Sequence, residues 1–209
     1  MNKQKGFFIT FEGCEGTGKS TQSKKLYEYL KAKNKQIVYT REPGGCQEAE
    51  QIREILVKGH VNKFDGITES LLHNAARKIH LEKTIIPALN KNNWVICDRF
   101  IDSTDAYQGA GQGVPVGFLK NLSNMVCQNI KPDLTIIFDM DIEKSLNRIT
   151  SRNNNNRYEK FDINFHKKIN KYFKNLRNKD HRYFFVDADD TINNVFNQII
   201  KEINKRKMI

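Results

Sequence analysis

Short, near-continuous apolar runs alternate along this chain with stretches whose apolar residues recur every three or four positions. The runs are FFITF at 7–11, IVYT at 37–40, WVIC at 94–97, LTIIF at 134–138 and YFFV at 183–186. Their length and their β-branched and aromatic content predict five buried strands. Between them, at helical spacing, stand Leu26 and Leu30; Ile52, Ile55 and Leu56; Leu71, Leu72, Ala75, Ala76 and Ile79; Leu119, Leu122 and Val126; Ile142, Leu146 and Ile149; Ile169, Tyr172, Phe173 and Leu176; and Ile192, Phe196 and Ile199. A strand that is apolar on both sides is buried on both sides, and parallel neighbours need a crossover that is usually a helix. The expectation is an α/β fold with a five-stranded parallel sheet flanked by helices and ligands beyond the strands' carboxyl ends.

Composition narrows the setting without choosing the chemistry. At 209 residues and 38% hydrophobic content, with no internal repeat and no Pro- or Gly-rich linker, residues 1–209 are expected to form one domain. Cys14, Cys46, Cys97 and Cys127 stand far apart without a CxxC pair, which argues against a disulfide framework or a zinc site. The opening MNKQKGFFITF lacks the apolar stretch of a signal peptide, and no run approaches the ~18 apolar residues a membrane span needs, so a cytoplasmic setting is expected. The net charge of +11 suits nucleic acid, an anionic membrane surface or small polyanions alike. Lys, Asn and Ile abound throughout, Asn153 to Asn156 included, so part of the basicity is compositional bias. The rest is regional: residues 146–182 hold eleven Lys or Arg against Glu159, Asp162 and Asp180, a local +8.

The chemistry enters where FFITF ends. Gly13-Cys14-Glu15-Gly16-Thr17-Gly18-Lys19-Ser20 matches GxxxxGK[ST] and is followed by a helical pattern opening near Thr21. Glycines let the backbone turn tightly, so successive N–H groups and the helix N-terminus surround a β-phosphate with positive potential. Gly13 to Thr21 are therefore the expected ATP site, with Lys19 neutralising the β/γ charge and the Ser20 hydroxyl offered to Mg²⁺. The sheet becomes a three-layer sandwich of the P-loop NTPase type. Asp98, directly after WVIC, reads as a Walker-B-like carboxylate near Mg²⁺ or, more plainly, as a helix N-cap. Such a loop identifies the phosphoryl donor and leaves the acceptor open.

Three segments in order, FEGCEGTGKST, TREPGG at 40–45 and DRFIDSTDAYQG at 98–109, resemble bacterial thymidylate kinases, and the likeness runs from about Phe8 to the C-terminal helical segment. That resemblance implies transfer of the ATP γ-phosphoryl group to dTMP, a homodimer, and a mobile lid over ATP at about 148–160. Elementary chemistry agrees, because a phosphate monoester's second ionisation lies near ~6 and the acceptor is already a nucleophile. What the reaction needs is alignment, with cations meeting the charge on the moving group.

By the same resemblance Arg53 binds the acceptor phosphate, and Arg77 meets the thymine carbonyl. Arg99 touches both the acceptor phosphate and the transferring group, while Glu15 faces the sugar 3′-hydroxyl. Tyr107 packs where a ribose 2′-hydroxyl would sit, and Thr104 and Gln108 meet the thymine edge. Arg41 and Pro43 complete the acceptor set, with Glu42-Pro43-Gly44-Gly45 a turn that aims Arg41 through a cis or a trans peptide. Arg148, Arg152 and Arg157 flank the Asn run, and either Arg152 or Arg157 is expected to stabilise the transition state from the lid. His73 departs from the phenylalanine usual at the thymine-stacking position; its imidazole would make acceptor binding weaker or pH-dependent near its ordinary pKa. One methyl in an apolar pocket is worth only ~1–3 kcal/mol, so side activity on dUMP is expected.

Two other readings stand beside this one: a kinase for a deoxynucleoside or another monophosphate, and a nucleic-acid-binding ATPase suggested by the charge. The second lacks regularly interleaved aromatic stacking positions in its basic stretch. The expected partners are thus ATP and dTMP, with neither nucleic acid nor membrane.

Overall fold

The computed structural model describes residues 6–150 and 156–209. Its strands are β1 (Phe8–Gly13), β2 (Ile37–Arg41), β3 (Trp94–Asp98), β4 (Leu134–Asp139) and β5 (Tyr183–Asp187). They form one parallel sheet in the order β2-β3-β1-β4-β5, with Ile9 of β1 in register with Ile96 on one side and Leu134 on the other. Every residue of β1 is buried, as a central strand covered on both faces requires.

Helices α1 (Lys19–Ala32) and α9 (Ile192–Lys205) cover one face, placing Leu26, Leu30, Ile199 and Ile203 against Ile9, Phe11, Ile96 and Ile136. On the other face, α8 (Ile163–Lys174) packs Phe165, Ile169 and Phe173 beside Ile137 and Tyr107. Leu81 and Ile85 pack there with Val95, Cys97 and Phe100. Those two belong to a π-helical turn, Leu81–Ile85, joining α3 (Gly66–His80) to α4 (Ile86–Asn90). Helix α2 (Gln47–Val57) lies against α3. Side-chain caps mark the helix starts: Asp65, Asp162 and Thr191 accept from Thr68 N, Phe165 N and Asn194 N. Together these layers are the expected three-layer sandwich of the P-loop NTPase type.

The helical stretch after β3 has no counterpart in the apolar periodicity. Residues after β3 form α5 (Ile101–Thr104) and a π-helical continuation, Asp105–Gly111. Their Asp, Ser, Thr and Gly are weak helix formers, so tertiary contacts hold the segment. Gly111 shows how tightly: a Cβ there would lie 2.4 Å from the ring of Phe165 on α8. The remaining elements, α6 (Val116–Cys127), α7 (Ile142–Thr150) and a 3-10 turn at Arg157–Lys160, close the outer layer. The carboxyl ends of β1, β2 and β3 thereby bring Gly13, Arg41 and Asp98 to one edge of the sheet.

Candidate active site

At the end of β1 the chain must turn sharply beneath β4. Gly13 adopts φ +135°, and a Cβ there would lie 2.9 Å from the carbonyl oxygen of Phe138. Gly18, at φ +90°, is the N-cap from which α1 begins at Lys19. The loop closes on itself through Thr17 Oγ1, which donates to Cys14 O at 2.9 Å. Lys19 Nζ donates to that carbonyl at 2.5 Å. Burial and, next, the Arg99 guanidinium draw the lysine down to about 8, so it stays mostly cationic at neutral pH. The Cys14 thiol is pushed up to about 12 by burial and is no nucleophile.

Ser20 Oγ donates to Asp98 Oδ2 at 2.5 Å, bringing two hard oxygen ligands together at the loop's mouth. The N-cap of α5 is Phe100, so the capping alternative for Asp98 is set aside. Among the described residues no group of three His, Cys, Asp or Glu stands ready to cage a metal by itself. The Ser20–Asp98 pair nevertheless fits Mg²⁺, which takes one or two protein oxygens and completes its shell with phosphate and water.

Beside this pair, Arg99 adopts φ +72°, a left-handed backbone that L side chains rarely take. The turn is held from both directions: Arg99 N donates to Phe11 O at 3.0 Å, and Phe100 N donates to Glu12 Oε1 at 2.7 Å. Glu12 is fully buried and also accepts from Ser103 Oγ at 2.5 Å; burial and then the nearby Asp102 raise it to about 8. Held this way, the Arg99 guanidinium donates to Gly13 O at 3.0 Å, Ser103 Oγ at 2.9 Å and Tyr107 Oη at 3.0 Å. It pairs with Glu15 at 2.8 Å. Tyr107 Oη in turn donates to Glu15 Oε1 at 3.3 Å. Burial alone would raise Glu15, but the charges of Arg99 and Lys19 and these hydrogen bonds outweigh it and hold the carboxylate at about 2. An anion inside a phosphate loop is thus neutralised in place.

The far wall carries buried charge as well. Arg77 is 2% exposed; its Nε donates to Glu42 Oε2 at 2.7 Å and its Nη2 to Thr104 Oγ1 at 3.0 Å and Phe100 O at 3.1 Å. The Glu42–Pro43 peptide is cis. Arg53 Nη1 donates to Pro43 O at 2.8 Å, while Arg41 pairs with Glu50 at 3.0 Å in a half-exposed position. Gln108 Nε2 donates to Glu69 Oε2 at 2.9 Å.

Two expectations meet a different arrangement. Arg157 does not line the cleft: fully buried, it pairs with Glu69 at 2.5 Å and donates to Leu56 O and Val61 O, away from the phosphate loop. A guanidinium committed to that interior site is a structural anchor rather than a lid cation, and Arg152 lies outside the described residues. His73 does line the cleft, 6.0 Å from Tyr158 ring to ring. Burial, followed by Arg77, Arg157, Arg53 and Arg99, lowers its imidazole to about 3, so it is neutral throughout the range in which titration was expected. Its tautomer follows from its partner. Tyr158 gives its one hydroxyl proton to Glu69 at 2.9 Å, so His73 Nε2 is the donor in the 2.9 Å contact with Tyr158 Oη.

A single cleft of about 310 Å³ gathers Glu15, Gly16, Gly18, Lys19, Ser20 and Thr21 with Asp98 and Arg99. Arg41, Pro43, Arg53, His73, Arg77, Thr104, Tyr107 and Gln108 share it. Sequence reasoning missed Glu12, Glu42, Glu69, Ser103 and Tyr158, the partners that hold these groups. Glu12, Glu42 and Ser103 left a trace, lying inside the segments FEGCEGTGKST, TREPGG and DRFIDSTDAYQG, whereas Glu69 and Tyr158 left none.

A cleft with a phosphate loop at one end and fixed guanidinium groups at the other, sharing the Ser20–Asp98 corner, defines a P-loop phosphotransferase. A family model described as thymidylate kinase matches residues 11–199. The thymidylate kinase of Finegoldia magna is 39% identical over 202 residues, covering 97% of this chain and 100% of that one. That of Caulobacter vibrioides is 47% identical over 161 residues, 77% of each. A crystal structure of thymidylate kinase from Ehrlichia chaffeensis matches with a TM-score of 0.77 at 36% identity, covering 95% of this chain and 99% of that one. The chain belongs to the thymidylate kinase family.

Proposed function

We propose that residues 1–209 act as one kinase domain that transfers the γ-phosphoryl group of ATP to dTMP, giving dTDP and ADP. The observation that carries this reading is Arg99, fixed between Gly13 O of the phosphate loop and the Tyr107–Glu15 pair on the acceptor side. A guanidinium there is placed to meet a group passing between the two ends. Mg²⁺, held by Ser20 and, through water, Asp98, would supply charge neutralisation of the β- and γ-phosphates. Arg53 is the acceptor-phosphate ligand, Tyr107 excludes a 2′-hydroxyl, and Arg77, Thr104 and Gln108 meet the base edge. His73 covers the base as a neutral ring.

Nothing in the cleft singles out the thymine methyl beyond apolar contact, so dUMP is a slower substrate. The chain works as a homodimer in the cytoplasm; supporting the dimer, Ile67 and Leu71 on α3 and Val116 and Met125 on α6 are exposed on two helices that pack together. Among the described residues no helix is long and apolar enough to cross a membrane. The test is coupled ADP release with dTMP, dUMP, dCMP, dAMP and thymidine, for wild type and Arg99→Ala. Turnover highest with dTMP, and lost in the variant, supports the reading; turnover without preference, or an active Arg99→Ala, refutes it.

A further inference from the structure

Glu69 is fully buried on α3, and three side chains from two other elements, the 3-10 turn at Arg157–Lys160 and the π-helical segment Asp105–Gly111, converge on its carboxylate. Arg157 pairs with it at 2.5 Å, Tyr158 Oη donates to it at 2.9 Å, and Gln108 Nε2 donates to it at 2.9 Å. A buried ion pair stabilises a fold poorly compared with apolar packing of the same volume, so its presence directly behind the cleft-lining Gln108 and Tyr158 asks for another role. The third contact supplies one. An ionised carboxylate only accepts hydrogen bonds, so whatever amide faces it must present N–H. Gln108 lines the cleft, and with its amide nitrogen committed to Glu69, the group it has left for a ligand is its carbonyl oxygen.

We propose that Glu69 is a specificity-positioning residue: by fixing the Gln108 amide it offers the acceptor base a hydrogen-bond acceptor and thereby selects a pyrimidine with a ring N3–H over one with an N3 lone pair. This rests on the proposed reading of the cleft as the acceptor site and deepens it. Thymine and uracil carry the N3 proton, whereas cytosine presents a lone pair to the same oxygen and is repelled. A free glutamine would not discriminate, because rotation by 180° about its last bond exchanges donor for acceptor at little cost. Arg157 completes the device by neutralising Glu69, and the Tyr158 hydroxyl helps to hold it in place. Because Tyr158 Oη also accepts a hydrogen bond from His73 Nε2, the base-stacking ring and the base-edge amide share one anchor.

The experiment is a double-mutant cycle read as the ratio of kcat/KM for dTMP to that for dCMP, with the dTMP to dUMP ratio as internal control. Glu69→Gln keeps the shape and lets Gln108 turn over; the dTMP to dCMP ratio is expected to fall roughly ten- to hundredfold while the dTMP to dUMP ratio holds. Gln108→Met removes the amide altogether and should lower the first ratio similarly, and the double variant should lose no more than either single one. A purely structural role for Glu69 would lower all substrates together. Should Glu69→Gln fail to fold by circular dichroism, Glu69→Asp, which keeps the charge beside Arg157 and shortens the reach to Gln108, replaces it in the same cycle. An unchanged dTMP to dCMP ratio in a folded Glu69 variant, or additive losses in the double variant, overturns the proposal. A wild type that turns over dTMP but fails this cycle leaves the kinase reading standing, whereas a wild type inactive on dTMP refutes that reading itself.

Discussion

The two ends of the cleft are built by opposite means. In the proposed reading the donor end is one contiguous stretch, Gly13 to Thr21, whose ligand groups are largely backbone N–H at a strand-to-helix turn. In the same reading the acceptor end is assembled from side chains on α2, α3, α5, its π-helical continuation and the turn after β2, and two of its cations arrive already paired, Arg77 with Glu42 and Arg99 with Glu15, with the Arg157–Glu69 pair buried behind them. A backbone cradle tolerates change in most of its side chains. A wall of buried ion pairs does not, because removing one partner strands the other in a medium that solvates it poorly.

This contrast orders the expected effects of substitution. Lys19→Met should cost the most turnover, roughly a thousandfold or ~4 kcal/mol of barrier, yet leave the unfolding midpoint unchanged or higher, since a buried lysine drawn down to about 8 is costly to the fold. Steady-state kinetics beside urea denaturation would show it, and a large loss of stability would break the comparison. Glu42→Ala should do the reverse. Stranding Arg77, which is 2% exposed, should lower stability by ~3–5 kcal/mol, seen as a drop in the urea midpoint at unchanged m.

Smaller effects sharpen the same line. Ser20→Ala should raise the Mg²⁺ concentration for half-maximal activity by about tenfold without affecting stability, measurable by titrating metal at fixed ATP. His73→Phe should change least at neutral pH and reveal itself in acid. The His73 imidazole falls from its ordinary range to about 3 on folding, so between about pH 6.5 and 3 the unfolded chain binds the proton more readily and the folded state loses stability as pH falls. The variant should lose less stability than wild type between about pH 7 and 5; equal losses would show that His73 titrates normally.

How much of this was legible in sequence follows the same division. The donor end could be read residue by residue because a phosphate loop is local: its glycines, lysine and serine lie at fixed offsets between a strand and a helix. All five strands were legible because each carries an unbroken apolar run, fully buried in the central strands β1, β3 and β4 and half-buried in the edge strands β2 and β5. The helical segment 101–111 was not, since its conformation is imposed by Glu12 and by packing of Gly111 on Phe165. Arg157 misled for a related reason. Its place beside the Asn run pointed to a lid, but only the fold reveals that its side chain turns inward to Leu56, Val61 and Glu69. The carboxylates that neutralise the acceptor wall, Glu42 and Glu69, are distant in sequence from most of what they hold, and no spacing rule in one sequence connects them.

The central claim is that donor and acceptor phosphates meet at Arg99. A crystal structure with dTMP, Mg²⁺ and a non-hydrolysable ATP analogue tests it most directly. The account predicts the dTMP phosphate against Arg99 and Arg53, its base edge on Gln108, Thr104 and Arg77, and the analogue's terminal phosphate on Lys19. A dTMP molecule bound elsewhere, or with its phosphate turned away from Arg99, would contradict it.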